Sequence, residues 1–139
     1  MQYWLFKSEP GTWSWDDQVA CGENGTGWDG VRNYQASNNM KAMEIGDLGF
    51  FYHSVNEKRI MGIVAVSALY HPDPTDASGR FGMVDVKAVK PVVSPVSLAD
   101  IKSNPQLSDV ALVRQSRLSV MPIAKEHWHE ILRMAETDL

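Results

Sequence analysis

Residues 48–69, LGFFYHSVNEKRIMGIVAVSAL, contain the two segments that decide the fold. Leu48–His53 is rich in aromatic side chains, and Ile60–Leu69 is rich in β-branched side chains. Both compositions favour a pleated and largely buried strand. The same reasoning predicts strands at three further segments: Gln2–Lys7, Met83–Val89 and Ser116–Ile123.

Helix signals lie between and after these strands. Ser14 followed by Asp17 is typical of a helix N-cap with an acidic first turn, which predicts a helix over Trp15–Ala20. Ser97 and Asp100 predict a second capped helix, which Pro105 ends. The other predicted elements are helices at Asn38–Ile45 and Lys125–Met134 and a short structured segment at Val31–Tyr34.

The order of these elements predicts the fold class. Short strands are interspersed with short helices, and there is no alternation of strand and helix of the kind that builds a parallel sheet. Such a pattern favours an α+β fold with a small, mixed and mostly antiparallel, barrel-like sheet.

Length and composition favour one globular domain, residues 1–139. The chain has 139 residues, of which 44% are apolar and 22% are charged. A chain of this length buries enough surface for one core without disulfides or a structural metal. Cys21 is the single cysteine, and the amino terminus lacks the basic region of a signal peptide. Because no apolar stretch approaches the roughly 18 residues of a membrane span, these features predict a cytoplasmic protein with no membrane partner.

Charge and motif content exclude several classes of protein. The net charge is −4, which opposes a broad basic face that coats nucleic acid, although a pocket that reads one nucleotide stays compatible with it. The glycine-rich stretch Gly22–Gly30 lacks the phosphate-binding patterns, so no nucleotide cofactor is predicted. The closest histidines, His127 and His129, point to different sides of a helix, so no metal site is predicted either.

Polar side chains stand beside aromatic ones in four segments at the ends of predicted strands: Lys7–Glu9, Trp28–Tyr34, Tyr52–Ser54 and Arg114–Ser119. Side chains at the strand ends of a small barrel can converge on one cavity. An aromatic side chain there could stack on a flipped nucleobase, while amides and carboxylates read its edge and a cation holds phosphate.

A purely structural interpretation stays open beside this one. Tryptophans such as Trp28 mostly lie in cores. Arg32 and Arg117 could form buried ion pairs with Asp29 or Asp47, and His53 could be a hydrogen-bonded strand histidine.

Five segments resemble, in order, the signatures of the EVE domain family: Tyr3–Pro10, Trp28–Ala36, Gly46–Ser54, Tyr70–Asp73 and Ser116–Pro122. The family is similar to the YTH domains. The resemblance implies a PUA-like fold over residues 1–139 and a non-enzymatic reader of modified bases without a cofactor. It also implies a nucleic-acid partner, with modified cytosine in DNA as the leading ligand and RNA as the alternative.

The resemblance further implies a role for each matched position. Trp28 is the first aromatic wall of the pocket, and Lys7, Ser8 and Glu9 approach the base edge and a phosphate. The other implied pocket positions are Val31, Asn33, Tyr34, His53, Ser54 and, as the second wall, Phe81. Phosphate contact or bracing of the pocket is implied for Arg32, Arg117 and Ser119. Ser37 departs from the family pattern, because an arginine usually stands there, and its loss removes a positive charge from the pocket mouth.

Two other functions remain compatible with the sequence. His53 as general base with Glu9 as its carboxylate partner would make the protein a hydrolase or base-modifying enzyme, although no nucleophile motif accompanies them. Alternatively, the chain is an RNA-binding or RNA-modification accessory module.

Overall fold

The fold is one six-stranded mixed sheet with helices packed around it, in a computed structural model that describes residues 1–139. The strands are β1 (Tyr3–Ser8), β2 (Thr26–Gly27), β3 (Leu48–His53), β4 (Arg59–Pro72), β5 (Gly82–Ser97) and β6 (Val120–Ile123). Their order across the sheet is β2-β5-β4-β3-β1-β6. The helices are α1 (Trp15–Ala20), α2 (Tyr34–Lys41), α3 (Leu98–Ser103), α4 (Ala111–Arg114) and α5 (Lys125–Met134). Two short 3₁₀ helices cover Gly22–Asn24 and Pro105–Leu107.

The α+β class predicted from the sequence is confirmed. The strands β1 and β3 are parallel, and every other neighbouring pair is antiparallel. The edge strands β2 and β6 do not pair with each other, so the sheet is open and does not close into a barrel. Strands β4 and β5 are longer than predicted, at 14 and 16 residues, and several register shifts interrupt their pairing.

Element boundaries agree with the prediction at Trp15–Ala20, Leu48–His53 and Lys125–Met134, whereas β6 begins at Val120 and not at the predicted Ser116. Trp15–Ala20 begins at Ser14, whose side chain accepts from the Asp17 N–H while the Asp17 carboxylate accepts from the Ser14 N–H. The α3 helix begins with the same arrangement at Ser97 and Asp100. Serine caps of this kind satisfy backbone donors that the first helical turn leaves free.

One predicted helix lies elsewhere along the chain. The segment predicted at Asn38–Ile45 is the helix Tyr34–Lys41, because the Asn33 side chain accepts from the Ala36 N–H and starts the helix earlier. Methionine spacing alone missed this cap. The predicted structured segment Val31–Tyr34 contributes only the first residue of this helix.

The central strand β3 is buried on both faces of the sheet. Successive residues of a strand point to opposite faces. Phe50 stacks on Trp128 of α5 at a centroid distance of 4.0 Å, whereas Phe51 meets Trp15 and Trp28 edge-on at 5.4 and 5.5 Å. The sheet therefore has α5 on one face, and α1 together with Trp28 on the other.

None of the helices combines the length and the apolar character that crossing a membrane requires. The structure also contains no group of three or more histidine, cysteine or acidic side chains placed to hold a metal ion.

Candidate functional site

A cavity of about 430 Å³ opens where β1 ends and β2 begins. Its lining combines two tryptophans with charged and hydroxyl side chains: Lys7, Ser8, Glu9, Thr12, Trp13, Thr26, Gly27, Trp28 and Asp29. We refer to it as the tryptophan cavity. Its volume is in the range that binds small organic groups, and its mixture of aromatic and polar groups is typical of such sites.

Trp28 belongs both to the core and to the tryptophan cavity. Its ring is 7% exposed, and it packs edge-on against Phe6 and Phe51 at centroid distances of 5.1 and 5.5 Å. Its backbone N–H donates to the carbonyl of Val84 in β5 at 2.8 Å. These contacts hold the indole in place while it lines the cavity.

Trp13 is the second tryptophan of the cavity, and it is held by three hydrogen bonds. The indole Nε1–H donates to Gln18 Oε1 at 3.0 Å, and the backbone N–H donates to the Glu9 carbonyl at 2.9 Å. Its own carbonyl accepts from the Ser8 hydroxyl. The ring is partly exposed, unlike that of Trp28, so it is available to a ligand.

Trp13 was missed by sequence reasoning, which implied Phe81 as the second wall. The missed signal is a tryptophan five positions after Ser8, directly behind the turn at Pro10 and Gly11. Phe81 does not line the tryptophan cavity, and it contacts the Tyr34 ring at a centroid distance of 4.9 Å. Trp13, and not Phe81, therefore lines this cavity beside Trp28.

Gln18 connects the Trp13 indole to the sheet. The residue is fully buried, and while its Oε1 accepts from Trp13, its Nε2–H donates to the Val86 carbonyl at 3.2 Å. The oxygen and the nitrogen of the buried amide are thus both hydrogen-bonded, and the amide sets the orientation of the partly exposed Trp13 ring.

We expect Gln18→Leu to lower the free energy of unfolding by about 1–3 kcal/mol, because it leaves the buried Val86 carbonyl and the partly buried Trp13 indole N–H without their partner. Urea denaturation measures this loss. Gln106→Leu is the matched control, since Gln106 is exposed and should change stability by less than about 0.5 kcal/mol. Equal stability of the two variants would contradict the bridging role.

The charges of the cavity are divided between one cation and two carboxylates. The Lys7 ammonium donates to the Ser116 carbonyl at 2.9 Å, and burial lowers its pKa from the ordinary value. The side chains of Glu9 and Asp29 are exposed and form no hydrogen bond or ion pair within the protein. They are free to accept hydrogen bonds from a ligand.

His53 is buried beneath this region and does not line the cavity. Its Nε2 accepts from the Trp15 backbone N–H at 2.9 Å, and its Nδ1 lies 3.0 Å from Glu57 Oε1. Since Nε2 accepts, the ring proton is on Nδ1 and is donated to Glu57. The hydrogen bond from His53 lowers the pKa of Glu57.

These contacts correct the enzyme hypothesis. The carboxylate partner of His53 is Glu57 and not Glu9, and both ring nitrogens are already engaged, which leaves no basic nitrogen facing the cavity. Ser54 also acts within the fold, because its N–H donates to the Ser8 carbonyl at 2.9 Å and continues the pairing of β1 and β3.

Arg32, Tyr34 and Phe81 form a separate group beside the tryptophan cavity. The Arg32 guanidinium lies 5.9 Å from the centre of the Phe81 ring and pairs with Asp73 at 3.1 Å, not with Asp29 or Asp47. Tyr34 is 63% exposed. Val31, which precedes the group, is buried in the core.

Asp73 connects this group to the segment that follows Trp28. Its buried carboxylate accepts from the Gly30 N–H, the Arg32 guanidinium, and both the N–H and the hydroxyl of Thr75, at 2.6 to 3.1 Å. Burial by itself raises the pKa of Asp73, but these hydrogen bonds outweigh it and lower the pKa to about 2. The carboxylate therefore holds the end of β4 against residues 30–32.

A second cavity, of about 340 Å³, is mostly polar. It is lined by Asn33, Gln35, Arg114, Gln115, Ser116, Arg117 and Leu118, and we refer to it as the arginine cavity. The bond from Lys7 to Ser116 connects a lining residue of each cavity. The carbonyl of Ser119 accepts from the Lys7 N–H at 2.8 Å, so Ser119 braces the end of β1.

The sequence-implied residues thus do not share one cavity: Arg32, Tyr34 and Phe81 form a separate group, and Val31, His53, Ser54 and Ser119 act within the fold. Lys7, Ser8, Glu9 and Trp28 line the tryptophan cavity, and Asn33 and Arg117 line the arginine cavity. Ser37 is buried and contacts the Tyr70 hydroxyl at 2.7 Å, so it does not stand at the mouth of a pocket.

Comparison with known proteins gives strong matches along the whole chain. The family model of the EVE domain matches residues 2–134. Human thymocyte nuclear protein 1 is 32% identical over 168 aligned positions, which cover 98% of this chain and 75% of that protein.

Solved structures agree with this similarity. A crystal structure of an Agrobacterium tumefaciens protein is 53% identical, with a TM-score of 0.94, and the match covers 97% of this chain and 93% of that one. The human THYN1 protein, crystallised in complex with 5-methylcytosine containing DNA, is 33% identical, with a TM-score of 0.92 and complete coverage of both chains.

A more distant likeness concerns the fold alone. The YTH domain of the Zygosaccharomyces rouxii MRB1 protein is 19% identical, with a TM-score of 0.56, and the match covers 99% of this chain and 88% of that one. Its α+β fold resembles the one described above. The match of the family model over almost the whole length, together with the identity to its relatives, shows that the chain belongs to the EVE domain family.

Proposed function

We propose that the protein is a non-catalytic reader that binds a modified nucleobase, 5-methylcytosine in DNA first among them, in the tryptophan cavity. The observation that carries the proposal is a cavity of about 430 Å³ lined by Trp13 and Trp28 next to free carboxylates. A second support is the human relative of similar fold that was crystallised with 5-methylcytosine containing DNA.

The chemistry of the lining suits a flipped cytosine. An aromatic ring stacks on a base for about 1–3 kcal/mol, and Trp13 and Trp28 offer two such rings. Cytosine presents an N4 amino donor, and the unpaired carboxylates of Glu9 and Asp29 are the acceptors that this donor requires. Lys7 supplies a cation for the phosphate that follows the base out of the helix.

Discrimination by the methyl group alone is modest. Burying one methyl is worth about 0.8 kcal/mol, which corresponds to about a fourfold preference over unmodified cytosine. Extruding the base from a duplex costs a few kcal/mol, so we expect tighter binding to single strands or mismatched sites.

The proposal is of binding and not of turnover. The buried His53 engages both nitrogens within the protein, which removes the candidate general base from the cavity. We also propose a cytoplasmic location, as the sequence predicts. The human relative is named a nuclear protein, but that name describes the relative and not this chain.

Trp13→Ala tests the proposal directly. We expect the variant to bind an oligodeoxynucleotide containing 5-methylcytosine about 5- to 150-fold more weakly, since one stacking wall is removed. Fluorescence anisotropy of labelled oligonucleotides with cytosine or 5-methylcytosine measures the affinity. The same sequence as RNA shows whether RNA replaces DNA as the ligand.

Val93→Ala is the control for Trp13→Ala. Val93 is an exposed apolar residue of β5 outside the tryptophan cavity, so its truncation should leave the methyl preference unchanged. Equal affinity of the native protein for both oligonucleotides, with no effect of Trp13→Ala, would refute the reader function.

A further inference from the structure

We propose that the tryptophan cavity also accepts a base that N-methylation has made cationic, and that it binds such a base more tightly than the neutral 5-methylcytosine. This inference rests on the proposed function and concerns the charge of the ligand. Its ligand class is a planar nucleobase with a positive charge. N3-methylcytosine is the representative that compares best with 5-methylcytosine, because the two bases have the same heavy atoms and differ in where the methyl group stands.

The lining of the tryptophan cavity carries more negative than positive charge. Among its nine residues, Glu9 and Asp29 are carboxylates and Lys7 is the single cation. Neither carboxylate has a hydrogen bond or an ion pair within the protein. A neutral base can offer these groups hydrogen bonds only, whereas a cationic base is also attracted by their charge.

Lys7 does not neutralise these carboxylates. Its ammonium donates to the Ser116 carbonyl at 2.9 Å, and Ser116 lines the arginine cavity and not the tryptophan cavity. Burial lowers the pKa of Lys7 from its ordinary value, because it disfavours the charged form. The negative charge of Glu9 and Asp29 is therefore left without an ion pair.

The two indole rings favour a cation as well. The face of a tryptophan ring attracts positive charge more strongly than that of any other aromatic side chain, and aromatic cages recognise methylated ammonium ions in this way. Trp13 and Trp28 both line the cavity, and the Trp13 ring is partly exposed. A stacked base with a delocalised positive charge would gain this attraction in addition to stacking.

Methylation at N3 also makes the base easier to extrude. N3 belongs to the edge with which cytosine pairs to guanine, so a methyl group there blocks the pair. A damaged base of this kind leaves the duplex at lower cost than 5-methylcytosine, whose pairing edge is intact. Its N4 amino group still offers a donor to Glu9 or Asp29. The preference should therefore be larger in a duplex than in a single strand.

Single-stranded oligodeoxynucleotides isolate the effect of charge, because they remove the cost of breaking a base pair. They carry cytosine, 5-methylcytosine or N3-methylcytosine at one position, and fluorescence anisotropy at neutral pH measures their affinities. We expect N3-methylcytosine to bind about 2- to 30-fold more tightly than 5-methylcytosine, the range of a cation–π contact. The same strands as RNA show which nucleic acid carries the base, and tighter binding of the N3-methylated base in either form supports the inference.

Asp29→Asn and Glu9→Gln test the source of the preference. Each variant keeps the size of the side chain and an acceptor oxygen but removes one charge. We expect each to lower the ratio of the N3-methylcytosine affinity to the 5-methylcytosine affinity by about 1.5- to 5-fold, the range of an exposed ion pair. Glu126→Gln is the matched control, because it removes an exposed carboxylate from α5, on the opposite face of the sheet from Trp28, and should leave the ratio unchanged.

The outcomes separate this inference from the proposed function. A preference for 5-methylcytosine over cytosine, without tighter binding of N3-methylcytosine, would overturn the cation site and leave the base reader standing. A preference for N3-methylcytosine that neither Asp29→Asn nor Glu9→Gln reduces would also overturn it, because the carboxylates would then have no part in the preference. A charge-dependent preference for N3-methylcytosine, with equal binding of cytosine and 5-methylcytosine, would support the cation site and overturn the reading of the 5-methyl group. No binding of any oligonucleotide would overturn both.

Discussion

Trp28→Ala should lower the free energy of unfolding by about 3–5 kcal/mol, the largest loss expected for a single substitution in the tryptophan cavity. The Trp28 ring is 7% exposed and packs on Phe6 of β1 and Phe51 of β3. Its removal leaves a void beside β1 and β3 that these rings cannot fill, and the cost of such a void adds to the lost burial.

Chemical denaturation measures this loss. The slope of the unfolding free energy against denaturant concentration should be the same in the native protein and in the variant. Trp13→Ala is the informative comparison, because the Trp13 ring is only partly buried and should cost less stability while costing more in ligand binding. Trp28→Phe keeps an aromatic ring in the core and allows binding to be measured in a folded variant. A loss below about 1 kcal/mol in Trp28→Ala would contradict the core role assigned to this ring.

The two tryptophans of the cavity are therefore held in place by different contacts. Packing in the core holds the Trp28 ring, whereas a hydrogen bond to the buried Gln18 orients the Trp13 ring. The proposed base binding needs such rigidity, because a loosely held ring would lose conformational freedom on stacking and weaken binding.

Sequence reasoning predicts the framework of this fold well where the pattern is local. The aromatic run of β3 and the caps of α1 and α3 are marked by adjacent residues, and the structure agrees with them. The start of α2 differs from the prediction because methionine spacing predicts the helix at Asn38–Ile45, and that spacing carries no sign of the cap formed by the Asn33 side chain.

The grouping of site residues depends on tertiary contacts that local patterns do not reveal. The strand-end segments were expected to share one cavity, but Tyr34 and Phe81 pair with each other beside it, and His53 lies beneath it. Trp13 enters the cavity because a turn after β1 folds back and is held by Ser8 and Gln18, which are not adjacent to it in sequence.

Asp73 is the site of the second large effect on stability. We expect Asp73→Ala to lower the free energy of unfolding by about 3 kcal/mol, because the carboxylate is buried and its removal leaves the N–H groups of Gly30 and Thr75 without acceptors. The Arg32 guanidinium also loses its ion pair, which releases the chain that follows Trp28.

The same carboxylate predicts an acid-dependent loss of stability. The pKa of Asp73 is about 2 in the folded protein, against an ordinary value of 3.8, because its hydrogen-bond donors favour the ionised form. The unfolded chain therefore takes up the proton first as the pH falls. The stabilisation is fully present above about pH 5 and is lost between about pH 4 and pH 2, with a magnitude of about 2 kcal/mol.

Urea denaturation of the native protein and Asp73→Ala between pH 2 and pH 7 measures this contribution. The difference in stability between the two proteins should shrink as the pH falls through this range. Glu23→Ala is the control, because its ion pair with Lys87 is exposed and should give a small difference that varies little. A difference between the native protein and Asp73→Ala that is independent of pH would show that the charge of this carboxylate does not hold residues 30–32 in place beside the tryptophan cavity.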